Sequence, residues 1–201
     1  MVWSCLVSIL PGMAQTEKLT DYVNPFVGTD GYGNVYPGAQ IPFGGIQISP
    51  DTDSRFYDAA SGYKYNHLTL MGFSLTHLSG TGIPDLGDFL FIPGTGEMKL
   101  EPGTHEDPDQ GYRSRYSHDK EWASPNYYAV ELADYGVKAE MTSGVRSGMF
   151  RFTYPESDNA FIMIDMNHTL WQSCEWSNLR MINDSTITGY KLVKGWGPER
   201  H

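Results

Sequence analysis

Between positions 18 and 52, Pro25, Pro37, Pro42 and Pro50 alternate with glycines so closely that a helix of ordinary length has no room. Each proline removes a backbone donor and clashes with the preceding turn, and the glycines between them favour turns. Short extended pieces, as at residues 45–49, are what remain. The same rhythm continues along the chain. Residues 127–132 and 137–142 alternate apolar and polar side chains around the turn Ala133-Asp134-Tyr135-Gly136, which predicts a hairpin. Tyr128, Val130 and Leu132 should face inward with Val137, Ala139 and Met141. Residues 147–154 place Phe150, Phe152 and Tyr154 on one face and Arg151 and Thr153 on the other. The nearly continuous apolar run 160–166 predicts a central sandwich strand. Residues 90–93 and 185–194 add two more strands, while 101–119, rich in Gly, Pro, Asp and His, reads as a surface connection. No segment carries a convincing amphipathic helix. The fold class is therefore all-β, an antiparallel β-sandwich over residues 18–201. A further strand is natural after Pro198, so the sandwich is expected to be incomplete at its C-terminal end.

Fourteen basic and twenty-four acidic residues give a formal charge of -10. Without a clustered Lys/Arg stripe to release counterions, nucleic acid is excluded as a partner; neutral substrates such as sugars are compatible. Residues 1–17 form a separate leader. Its run MVWSCLVSIL, followed by Pro11-Gly12-Met13-Ala14, has the pattern of a secretion signal with a small-residue cleavage site after Ala14. The run is too short to span a bilayer, so a periplasmic or secreted location is expected and no membrane span. Cys5 lies in that leader. Cys174 is then unpaired and expected to be a buried, apolar-type residue.

Residues 61–93 read SGYKYNHLTLMGFSLTHLSGTGIPDLGDFLFIP. Glycines here separate Tyr63, Tyr65, His67, Ser74, His77, Ser79, Asp85 and Asp88, a mixture unlike a packed core. Tight turns bearing polar groups and rings suit a small polar ligand. The plainer reading is a tightly turned loop in which Asp85 and Asp88 cap backbone groups. His67, His105 and His118 lack zinc-ligand spacing. No G-x-S-x-G elbow surrounds Ser74 or Ser79. For Trp122, Trp171, Trp176 and Trp196, packing in the core or at a domain interface is favoured over a role as sugar platforms.

Three blocks together resemble the N-terminal domain of glycoside hydrolase family 92, calcium-dependent exo-α-mannosidases of bacterial glycan degraders. They are VNPFVGTDGYGNVYPGAQIPFGGIQISPDT (residues 23–52), the stretch 61–93, and YSHDKEWASPNYYAVELADYGVKAEMTSGVRSGMFRFTYP (residues 116–155). A weaker fourth is ITGYKLVKGWG, residues 187–197. The resemblance implies a supersandwich-like domain packed on a C-terminal (α/α)6 barrel, with the active site between them. It implies inverting hydrolysis of terminal α-mannosides, with a Glu acid, an Asp base and the calcium ligands all on the barrel. This chain is then expected to hold no catalytic residue and no metal ligand, to be inactive alone, and to wall the sugar pocket. The candidate substrate-binding residues are Gly28 and Asp30 in the first block, Tyr57 and Tyr63 around the SGY motif, and His77, Ser79, Gly80, Gly82, Asp85 and Asp88. The family pattern has Trp and Cys just before SGY, where this chain reads Arg55-Phe56-Tyr57-Asp58-Ala59-Ala60, which leaves the linkage preference open. The alternatives are a free-standing carbohydrate-binding sandwich without catalytic activity and a structural β-domain without ligand.

Overall fold

The computed structural model describes residues 17–54 and 59–195. Two antiparallel sheets face one another. The first is built from β1 (Ala39–Gln40), β2 (Gln47–Asp51), β4 (Gly72–Ser74), β5 (Leu90–Thr95) and β11 (Ala160–Asp165), in the order β1-β2-β4-β5-β11. The second has the order β10-β9-β8-β7, from β7 (Glu121–Ser124), β8 (Tyr127–Leu132), β9 (Val137–Ser143) and β10 (Gly148–Thr153). Two short strands, β3 (Thr69–Leu70) and β6 (Ser114–Arg115), pair separately, and β12 (Ser173–Asn183) with β13 (Thr186–Lys194) forms a long two-stranded ribbon. Among the described residues helix is limited to short 3-10 turns, and no helix is long and apolar enough to cross a membrane.

The predicted hairpin forms in register, Val130 opposite Ala139 and Leu132 opposite Val137, with Gly136 at φ +64° in its turn. The six side chains expected to face inward on these two strands are all buried. Phe150 and Phe152 of β10 lean across to Phe73 of β4, at ring-centroid distances of 6.5 and 6.4 Å, so aromatic faces join the two sheets. Gly148 marks one close approach of the sheets, since a Cβ there would lie 2.4 Å from Ile48 Cδ1.

Three expectations need correction. The apolar run at 160–166 forms β11, an edge strand whose sole sheet neighbour is β5 among the described residues. Only one of its faces packs, Met163 against the small cluster of Met71, Leu90, Ile92 and Tyr112, while Ile162 is 53% exposed. Residues 101–119 are more than a surface connection: Tyr112, Arg113 and Tyr116 are buried, and Arg113 Nη1 donates to the Thr52 carbonyl at 2.6 Å. Cys174 is a free thiol, half-buried on the ribbon. Cys5 and most of the leader lie outside the described residues.

Candidate functional site

The first and second sequence blocks meet at one edge of the sandwich. Residues 28–34 make a tight turn, with Gly28 at φ +85°, Gly31 at +59° and Asn34 at +51°. Gly33 is required there for space, because a Cβ would lie 2.1 Å from the Gly28 carbonyl oxygen. The second loop reaches it through Gly80, whose N–H donates to the Asn34 carbonyl at 2.6 Å, while Gly82 lies against the Asn34 side chain. Lys64 Nζ holds the Gly31 carbonyl from behind, and Tyr65 N–H donates to the Thr29 carbonyl at 2.9 Å. Asp30, Ser79 and Gly80 are exposed on this clasped pair of loops, beside Tyr32 at 91% exposure. Asn34 Oδ1 is buried without a hydrogen-bond partner. An orphan acceptor between two loops is a group that an incoming donor can satisfy.

Behind the loops lies a buried polar network. The carboxylate of Asp51, at the end of β2, accepts from His77 Nε2 through Oδ1 and from His168 Nε2 through Oδ2, both at 2.7 Å. His77 Nδ1 faces the Gln47 carbonyl at 2.7 Å, so that nitrogen carries a proton. Burial alone would raise the Asp51 carboxyl, but the charges and hydrogen bonds of the two imidazoles outweigh it and hold the group well below the usual carboxylate range. The network continues outward: Lys191 Nζ of β13 donates to the His168 carbonyl and pairs with Asp88 Oδ1 at 3.0 Å, and Asp88 Oδ2 accepts from Thr76 Oγ1. This chain of contacts ties the ribbon to the core.

A second network surrounds Glu121. Its carboxylate accepts from Tyr63 at 3.0 Å, Tyr128 at 2.5 Å and His118 Nδ1 at 2.6 Å. Burial, reinforced by the neighbouring Tyr116 and Glu121, pushes the Tyr63 phenol far above its ordinary value. Nearby, the His67 and His105 rings lie 4.1 Å apart, with His105 Nε2 3.3 Å from Asp53. Burial, then the facing His105, push the His67 imidazole down to about 4, with Arg113 and Lys64 adding to the effect and Asp53 opposing it.

His67 is therefore neutral in the fold where the unfolded chain, at 6.5, already takes up a proton. Its contribution is complete above pH 6.5 and is lost as pH falls from 6.5 to about 4. Asp51 extends the loss below its unfolded value of 3.8. For the half-buried His67 ring, screening limits the effect to about 1–2 kcal/mol. Melting temperature should fall between pH 7 and pH 4.5, and fall less in a His67→Gln variant. An unchanged melting temperature over that window would contradict the assignment.

The structure thus sorts the sequence candidates. Gly28, Asp30, Ser79, Gly80 and Gly82 come together at the exposed loop pair. Tyr63 is 1% exposed and serves Glu121, so its ring face is closed to a ligand. His77, 3% exposed, is turned inward to Asp51 rather than towards solvent. Asp85 is buried and its Oδ1 caps the Leu86 N–H at 2.8 Å, while Asp88 is engaged by Thr76 and Lys191. The Asp85 contact is a backbone cap, whereas the Asp88 carboxylate is held by two side chains. Tyr57 lies outside the described residues. Sequence reasoning missed Tyr32, Asn34, Asp51, His168 and Lys191. The glycine spacing around Tyr32 and Asn34 was a usable signal, but Asp51 and His168 meet across 117 positions with none. Among the described residues no group of three or more His, Cys, Asp or Glu side chains is disposed to hold a metal ion.

Similar proteins place this geometry in a family. A solved structure of the GH92 family glycosyl hydrolase ccman5 superposes with a TM-score of 0.72 at 29% identity, covering 89% of this chain and 24% of that one. The GH92 inverting mannosidase of Bacteroides thetaiotaomicron gives a TM-score of 0.60 at 27% identity, over 75% of this chain and 20% of that protein. An uncharacterized secreted glycosidase of Arthroderma benhamiae is 30% identical over 139 residues, 68% of this chain and 17% of the relative. The chain thus spans about a quarter or less of the length of these proteins. The family model that describes the glycosyl hydrolase family 92 N-terminal domain matches residues 22–201. The chain belongs to glycosyl hydrolase family 92, of which it is an N-terminal domain, an antiparallel β-sandwich.

Proposed function

We propose that this domain walls the sugar pocket of an inverting exo-α-mannosidase, contributing Asp30, Ser79 and the backbone N–H of Gly82 to a terminal α-mannoside. The observation that carries the reading is the clasp between the two loops, Gly80 N–H to the Asn34 carbonyl at 2.6 Å. It converts two separate sequence blocks into one exposed, polar, backbone-rich surface. A carboxylate, a hydroxyl and a backbone N–H suit vicinal hydroxyls, and the exposed Tyr32 ring offers a flat apolar face beside them. The mannosidase among the solved relatives supports the choice of mannosides. The acid, the base and the calcium ligands belong, in this reading, to a C-terminal barrel.

The enzyme acts in the periplasm or outside the cell, a reading supported by the relative named as secreted. In the full-length enzyme, Asp30→Ala should lower kcat/KM for α-mannosides about tenfold or more, in line with the loss of one charged hydrogen bond. Melting temperature should not change, because Asp30 is exposed. An unaltered kcat/KM in both Asp30→Ala and Ser79→Ala would remove the loop pair from the pocket. A free-standing carbohydrate-binding module is the second reading, in which these substitutions change only binding.

A further inference from the structure

A groove of about 310 Å³ lies at the base of the clasped loops. Val27 and Val35, which flank the 28–34 turn, are part of its lining, and so is Ser79 of the second loop. Val35 is tied to that turn directly, because its N–H donates to the Gly28 carbonyl at 3.3 Å. The turn between β7 and β8 supplies Ser124, Pro125 and Asn126. The groove therefore shares a lining residue with the proposed sugar surface, and its size is at the lower end of the range of small-ligand sites.

The β7–β8 wall is fixed before any ligand arrives. Asn126 sits at φ +59°, and its Oδ1 accepts from the Ser143 N–H at 3.0 Å and from the Ser143 hydroxyl at 2.7 Å. Its Nδ2 donates to the Ser143 carbonyl at 2.8 Å, and Thr142 Oγ1 closes the clamp on the Asn126 carbonyl, also at 2.8 Å. Buried Tyr36 donates its hydroxyl to Gln40 Oε1, so the Gln40 carboxamide is held at the groove while its amino group has no internal partner among the described residues. The exposed hydroxyls of Ser79 and Ser124 likewise make no hydrogen bond within the described protein. The described lining includes no Lys, Arg, His, Asp or Glu, in a chain of formal charge -10. A charged ligand group would enter without a partner, so the groove favours a neutral one. Two hydroxyls and an amide amino group among Val23, Val27 and Pro125 match the hydroxyls and C–H faces of a hexose.

We propose that this groove holds the second sugar of the glycan, the neutral hexose to which the terminal α-mannoside is linked. The inference rests on the reading that the loop pair binds the terminal sugar. Ser79 belongs to both surfaces, so a glycan held at the loops reaches the groove without crossing the core. Gln40 and Ser124 then touch the second sugar alone, and a wall clamped in advance gives it a preformed seat.

The test compares hydrolysis by the full-length protein of methyl α-mannoside, which has no second sugar, with hydrolysis of the α-linked mannobiose that it cleaves fastest. Gln40→Ala and Ser124→Ala should each lower kcat/KM for the mannobiose several-fold, as expected for one neutral hydrogen bond, and leave methyl α-mannoside unchanged. Ser124→Trp, which fills the groove, should lower the mannobiose value about tenfold or more and again spare methyl α-mannoside. Ser124 is exposed and makes no internal side-chain bond, so its two variants should keep the wild-type melting temperature. Wild-type kcat/KM for the mannobiose in all three variants would overturn the proposal. An equal fall on both substrates would also overturn it, by making the groove a support of the loops rather than a separate subsite. Failure of the loop reading shows separately, as an Asp30→Ala variant with wild-type activity on both substrates. Wild-type protein that releases no mannose from either substrate would overturn the proposed function and the subsite with it.

Discussion

Asp51→Ala should destabilise the domain by about 3–5 kcal/mol, the usual cost of removing one partner from a buried charged cluster. The carboxylate is fully buried and is the shared acceptor of His77 and His168. Without it, the His168 Nε2–H loses its acceptor and His77 Nε2 is left with only the Ser74 hydroxyl at 3.0 Å, and neither ring can turn to water. His77 keeps the Gln47 carbonyl, but His168 positions the carbonyl that receives Lys191, so the effect should spread to the ribbon. For a domain of this size the melting temperature should fall by about 10 °C. Asp51→Asn keeps the shape and one acceptor oxygen and should lose less. Differential scanning calorimetry measures both; an Asp51→Ala variant melting within about 2 °C of wild type would show that the network contributes little.

Gly87→Val should cost about 3–5 kcal/mol, the sum of backbone strain and overpacking. Gly87 has φ +76°, and an added Cβ would lie 2.6 Å from Leu170 Cγ and 3.0 Å from Leu170 N. Leu170 is fully buried and its N–H is committed to Leu86, so it has no room to withdraw. Gly80 makes the control. Its φ of +73° is almost the same, but a Cβ there meets open space. Gly80→Val should carry the strain alone, about 1–3 kcal/mol. Equal melting temperatures for the two variants would mean that contact with Leu170 is relieved by local movement.

Much of this arrangement was legible because local pattern and tertiary burial agree. In β8 and β9 the period-2 alternation coincides with the inner face of a sheet, so the hairpin, its turn and its buried residues all follow from neighbouring positions. The apolar run of β11 misled for the opposite reason. A central strand and an edge strand covered on one face differ in what pairs beside them, which the run itself does not encode. β12 gave no signal because its residues are mostly exposed and its register is carried by β13. At the site, glycine spacing identified both loops, since positive φ is a local demand. The role of each acidic or histidine side chain was not local. His77 and Asp88 lie in the right loop but point to Asp51 and Lys191, partners separated in sequence by 26 and more positions. Asp30 and Ser79 stayed exposed because no such partner reaches them.

The central claim is that the clasped loops wall the pocket of a mannosidase. Its most direct test is a measurement of mannose release from terminal α-mannosides by the full-length protein, wild type beside Asp30→Ala. The account predicts anomeric inversion of the released mannose, loss of activity with a calcium chelator, and an about tenfold drop in kcat/KM for Asp30→Ala at unchanged melting temperature. Release at the same rate by wild type and variant would contradict the placement of the loops. No release of mannose from any α-mannoside in the presence of calcium would contradict the proposed activity itself.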